Sequence, residues 1–154
     1  EKSSEIKGTA QFSIERQQCL LKYYAGEIAL RKGDYQSAEG FYQKALTLAE
    51  ATHWQKIVAY SKGWLSLVLI NKGSKDDLNE AERLLDFTVT VAKQYQDRRV
   101  VAKCYYNSAL LAEKREQPKT FCNWVILAQS EFDKLGMTIA ANQMKRWLKN
   151  RHSD

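Results

Sequence analysis

The same small and apolar residues return in this chain at intervals of about 40. Ala38, Tyr42 and Ala45 follow the turn Gly33-Asp34 at helical spacing, and Ala81, Leu85 and Thr88 keep the same intervals of four and three. Phe121, Val125 and Ala128 keep them a third time, after the turn Glu116-Gln117-Pro118. Between copies, 43 positions separate Ala38 from Ala81 and 40 separate Ala81 from Phe121. A period of this size marks a stack of supersecondary units, each burying its apolar face only against its neighbours.

The punctuation between copies fits paired helices. Gly33 suits the left-handed turn past a helix end, and Asp34 is a good N-cap for the next. Lys72-Gly73 repeats that turn, with Asp77-Leu78-Asn79-Glu80 read as a capping box. Thr52 with Gln55 reads as a second capping box, Asp97 as an N-cap, and Pro118 as a first-turn residue. These signals predict helices at roughly 13–32, 35–51, 53–72, 77–96, 98–115, 118–135 and 138–150. The run Thr88-Val89-Thr90-Val91 has strand character, but its neighbours favour helix. The expectation is an all-α chain with more than about 70% helix, well above the usual third. One proline and seven glycines leave little room for long loops. The chain is read as a single domain, 1–154, with units at 13–52, 53–96 and 97–136 and a cap at 137–151.

The small residues Gly26, Ala38 and Ala45 predict a close approach of the two helices of unit one, with Leu30, Tyr42 and Leu46 filling around them. These residues resemble the tetratricopeptide repeat family: a small residue in the first helix (Gly26), the turn Gly33-Asp34-Tyr35, then Ala38-x₃-Tyr42. Unit two matches at Ser66, Gly73 and Ala81-x₃-Leu85, and unit three only at Ala109 and Ala128. Lys22 and Ala29 stand where the family has Trp and Tyr, and the period exceeds the family's 34 or so. The long units and their "AEA-T" and "FDKLGM" endings are similar to the sensor repeats that follow the NTPase module of bacterial NB-ARC (STAND) signalling proteins.

The resemblance implies a right-handed superhelix whose first helices line a concave, partner-binding face. Its groove positions fall on Tyr23, Tyr24, Glu27 and Arg31 in unit one. In unit two they fall on Tyr60, Gly63, Trp64, Leu67 and Asn71, and in unit three on Lys103, Tyr106, Asn107, Leu110 and Lys114. Tyr24, Trp64 and Asn107 each lie two residues before the small site of their helix, at Gly26, Ser66 and Ala109. That offset turns a side chain about 200° from the tight contact and predicts the three in one row across the groove. The expected function is non-catalytic: a protein-interaction module binding a protein or peptide, or its parent's NTPase module. The family's grip on a terminal carboxylate uses Lys and Asn on three first helices. Here Tyr23, Glu27, Trp64, Lys103 and Asn107 occupy those places; only Lys103 fits the charge, and Glu27 would repel the ligand.

Other chemistries find little in the sequence. Gly73-Ser74-Lys75 lacks the frame of a phosphate-binding loop, and Gly8 and Gly26 fit no dinucleotide fingerprint. His53 and His152 stand alone, with no partners at metal-ligand spacing. No cofactor is expected. Asp76-Asp77 with Glu80 and Glu82 reads as an acidic helix start. Cys19, Cys104 and Cys122 are odd in number and read as reduced thiols of a cytoplasmic protein. The chain opens on Glu1 and reads as a piece of a longer protein, with no apolar run long enough for a membrane span. Net charge is +6. The basic end Lys145-Arg146-Trp147-Leu148-Lys149-Asn150-Arg151 supports an alternative, a nucleic-acid-binding or regulator domain, since a Trp among cations can stack on a base. The competing reading has Ile139, Met144, Trp147 and Leu148 cover the last unit while the cations stay in water.

Overall fold

A computed structural model describes residues 2–151, with side chains from Gly8 onward. Glu1 and His152 lie outside the described residues. Seven helices carry the fold: α1 (Lys2–Arg31), α2 (Tyr35–Ala51), α3 (Gln55–Lys72), α4 (Lys75–Gln94), α5 (Arg98–Lys114), α6 (Pro118–Lys134) and α7 (Thr138–Arg151). There is no strand among the described residues, and Thr88 to Val91 lie inside α4. Each helix packs on the next, most extensively within the pairs α1–α2, α3–α4 and α5–α6. The result is an all-α solenoid of three helix pairs closed by α7, compatible with a tetratricopeptide-like helical repeat.

Local chemistry sets the boundaries. The Asp34 and Asp97 carboxylates accept from the backbone N–H of Ser37 and Val100, as N-caps should. Pro118 opens α6, where its missing N–H has no partner to lose. Both capping boxes shift. Ser74, not Asp77, caps α4: its hydroxyl accepts from Asp77 N–H and donates to the Asp77 carboxylate, so the helix starts two residues earlier than expected. Thr52 closes α2 instead of opening α3, its hydroxyl donating to Leu48 O at 2.9 Å. Trp54 precedes α3 without a side-chain cap. Helix α1 starts 11 residues before the expected Ser13, because nothing between Lys2 and Ser13 breaks a helix. Gly33, Gly73 and Gly136 take positive φ at the junctions, and so do His53, Gln96 and Glu116.

The close approach within unit one is present. A Cβ on Gly26 would lie 2.8 Å from the Tyr42 ring. Ala38, Tyr42 and Ala45 are fully buried, and the Cys19 thiol donates to Ala45 O at 3.2 Å. In unit two the tight site is Gly63, whose added Cβ would meet Thr88 at 2.7 Å. Thr88 Oγ1 is bonded to Ala59 O and Leu84 O.

Two core clusters meet along α5. Val100, Val101, Cys104 and Leu111 join the core of units one and two, whereas Ala102, Ala109 and Ala112 face α6 and α7. Helix α5 thus has one face for its own partner and a second for the preceding unit. The first helices also touch one another: α3 packs on α5, and Trp64 Nε1 donates to the Tyr23 hydroxyl of α1 at 2.6 Å. No second helix packs extensively on another. The array therefore curves with α1, α3 and α5 on its inner side.

Candidate functional site

A hollow of about 220 Å³ opens on that inner side. Glu27, Leu30 and Arg31 line it from α1, Tyr42 from α2, Trp64 and Leu67 from α3, and Lys103, Tyr106 and Asn107 from α5. Three units thus contribute to one site because odd-numbered helices sit side by side. The Lys103 ammonium lies 5.5 Å from the centre of the Trp64 ring, within cation–π range. A second hollow of about 150 Å³ is lined by Tyr35, Leu67, Ile70, Asn71, Leu110, Glu113 and Lys114. Leu67 is common to both.

Of the positions singled out in the sequence, Glu27, Arg31, Trp64, Leu67, Lys103, Tyr106 and Asn107 share the first hollow, and Asn71, Leu110 and Lys114 join Leu67 in the second. Tyr23, Tyr60 and Gly63 lie behind the surface. Tyr23 is spent as the acceptor for Trp64 and packs edge-on to Tyr42 at 5.8 Å. The Tyr60 hydroxyl donates to Asp97 Oδ2 at 2.8 Å, fixing the start of α5. The expected row of Tyr24, Trp64 and Asn107 does not form. Tyr24 is outside the hollow and half exposed, while Trp64 and Asn107 are buried. Turning 200° from the tight contact points these side chains at the preceding unit, and α1 alone has no described unit before it.

Leu30 and Tyr42 line the first hollow without having been placed there by the sequence. Tyr42 was legible only as a packing ring of α2. It reaches the inner side because Gly26 has no side chain to stop it.

Two polar atoms at this hollow have no partner within the chain: the Tyr42 hydroxyl and Asn107 Nδ2. Tyr42 is fully buried and Asn107 is 2% exposed. Burial pushes the Tyr42 phenol well above its ordinary range, so it stays protonated and able to donate. A buried polar group left unpaired costs on the order of 1–3 kcal/mol, and both of these lie at the same hollow.

The basic C-terminal end is built as a lid on unit three. Trp147 stacks on Tyr106 at 5.4 Å and lies against Phe121 at 5.7 Å. Arg151 pairs with Glu113 and Lys145 with Asp133. Met144 is buried and Leu148 half-buried, but Ile139 is 86% exposed and does not cover the last unit as expected. Arg98 pairs with Glu131.

Among the described residues no cluster of His, Cys, Asp or Glu could hold a metal ion, and no helix is long and apolar enough to cross a membrane. Compared with protein-family models and with curated proteins, the chain matches none. Fold and site define its class: an all-α solenoid of helix pairs with an inner hollow shared by three units.

Proposed function

We propose that the chain is a non-catalytic protein-interaction module that takes a peptide segment of its partner along the inner face. The observation that carries this reading is the pairing of aromatic walls with unpaired buried donors. Trp64, Leu67 and Tyr106 offer apolar surface for an anchoring side chain. Tyr42 OH and Asn107 Nδ2 offer donors for a carbonyl next to it. Arg31 and Lys103 against Glu27 leave the rim weakly positive. The second hollow, which shares Leu67 as a lining residue, offers room for a further side chain. Aromatic anchors in desolvated pockets dominate interfaces of this kind. The likeness to sensor repeats makes the NTPase module of a parent protein the intramolecular form of such a partner.

The test is selection of binding peptides from a displayed random library on the immobilised chain. Leu67→Glu places a charge between the two hollows and should weaken the selected peptides tenfold or more, equivalent to about 1.4 kcal/mol. Lys44→Gln, on the outside of α2, should change nothing. Peptides that bind Leu67→Glu as well as wild type would sink the reading.

A further inference from the structure

The hollow on the inner side is small. Its volume of about 220 Å³ lies below the roughly 300–1,000 Å³ of sites that enclose a drug-sized molecule or a cofactor, so it has room for one side chain of a partner. Its two unpaired buried polar groups, the Tyr42 hydroxyl and Asn107 Nδ2, can both donate. The Trp64 indole N–H is already spent on Tyr23. A purely apolar anchor would leave both donors buried without a partner, so the complementary group carries an acceptor. Charge decides which acceptor. Glu27 lines the same hollow and is half-buried, whereas Arg31 stands exposed at the rim, where water and salt screen it. The Lys103 ammonium is held over the Trp64 ring at 5.5 Å. Burial first, and then the neighbouring Tyr23 and Glu27, push the Tyr42 phenol up, and Arg31 does less to lower it. Glu27 therefore outweighs Arg31 at the Tyr42 hydroxyl, and a second carboxylate there would be repelled.

We propose that the anchor taken by this hollow is a neutral carboxamide, the side chain of Gln or Asn in a partner peptide. The proposal rests on the reading of the inner face as a peptide-binding surface. The carboxamide oxygen accepts from Tyr42 and Asn107, and its NH2 group donates, with Glu27 as the acceptor at the same hollow. A carboxamide also complements Asn107 whichever way that amide is turned, since each side chain presents one donor and one acceptor end. The methylenes of a glutamine find apolar surface in Leu30 and Leu67. An ionised carboxylate has no hydrogen to give Glu27, and methionine, of similar length, offers only a weak acceptor. A site built to hydrogen-bond its ligand rejects an analogue lacking the polar group more strongly than an apolar pocket rejects the converse.

Displayed random-peptide libraries that differ only at one fixed central position, Gln, Asn, Glu or Met, test this on the immobilised whole chain. The Gln or the Asn library should enrich at least about tenfold over those with Glu or Met. In the best peptide, Tyr42→Phe and, separately, Asn107→Leu should erase the preference of the chain for the carboxamide over Met, with circular dichroism and melting confirming the fold. Glu27→Gln should remove the discrimination against Glu, and Lys44→Gln should leave every preference as it was. A preference for Glu or for Met at the fixed position overturns the inference. So does a carboxamide preference that survives both Tyr42→Phe and Asn107→Leu. Peptides that bind with no preference at the fixed position, yet are lost in Leu67→Glu, keep the peptide-binding reading and sink the carboxamide alone. Enrichment from none of the libraries sinks both.

Discussion

Replacing Gly26 by alanine adds one methyl group at the tightest point of unit one. The new Cβ would stand 2.8 Å from Tyr42 Cζ and 2.9 Å from both Cε atoms. An ordinary carbon contact is about 3.5–4.0 Å, so the ring or the helix must yield by roughly 0.7 Å or more. Tyr42 has little freedom to yield, being fully buried and edge-on to Tyr23. Overpacking of this kind costs about 1–3 kcal/mol. Gly→Ala within a helix returns about 0.8–1 kcal/mol. The net expectation is a loss of roughly 0–2 kcal/mol. Gly40→Ala is the matched control: it also sits inside a helix, but its added Cβ meets nothing within 4 Å. It should stabilise by about 0.8–1 kcal/mol. Urea unfolding followed at 222 nm measures both. If Gly26→Ala gains stability as Gly40→Ala does, the close-packing account of the repeat is wrong.

Further outcomes follow from the same geometry. Ala38→Leu and Ala45→Leu, at fully buried sites, should each lose about 1–3 kcal/mol in the same melts. Trp64→Ala should lose about 3–5 kcal/mol, because the ring is 5% exposed and bonded to Tyr23; a melt unchanged from wild type would place the ring at the surface. Tyr42→Phe and Asn107→Leu remove unpaired buried polar groups, so stability should hold or rise, by up to about 2 kcal/mol, while affinity for selected peptides falls. Glu116→Gly relieves a left-handed backbone that costs about 1–2 kcal/mol, and after glycine's entropic cost of about 0.5–1 kcal/mol it should gain roughly 0.5–1 kcal/mol. Burial pushes the Cys104 thiol up to about 12, so at pH 8 it should resist alkylation while the half-buried Cys122 reacts. Duplex DNA titrated at two salt concentrations should show none of the steep salt dependence of phosphate binding, since Arg151 and Lys145 are paired and Trp147 is stacked.

The helices were legible because their period, their small residues and most of their turn residues agree. Of the described residues 88% are helical. Where two capping residues compete, spacing alone chose wrongly. Ser74 outranks Asp77 because it lies directly after Gly73, and Thr52 finds the end of α2 before it can open α3. His53, Gln96 and Glu116 take left-handed turns that no glycine announced. The hollow was legible in part: equivalent positions brought Glu27, Arg31, Trp64, Leu67, Lys103, Tyr106 and Asn107 together. What periodicity does not contain is depth. Tyr23 and Trp64 both fit a groove position, yet one is consumed bonding the other. Nor can equivalence hold at the end of a stack, which is why Tyr24 parts company with Trp64 and Asn107.

The inner face as a binding surface is tested most directly by nuclear magnetic resonance of the labelled chain titrated with library-selected peptides. The Trp64 indole N–H, the Leu67 methyls and the Asn107 side-chain amide should shift first and furthest, with Tyr42 and Tyr106 following. Shifts confined to α7 or to the outward faces of α2, α4 and α6, with Trp64 and Asn107 unmoved, would contradict the account.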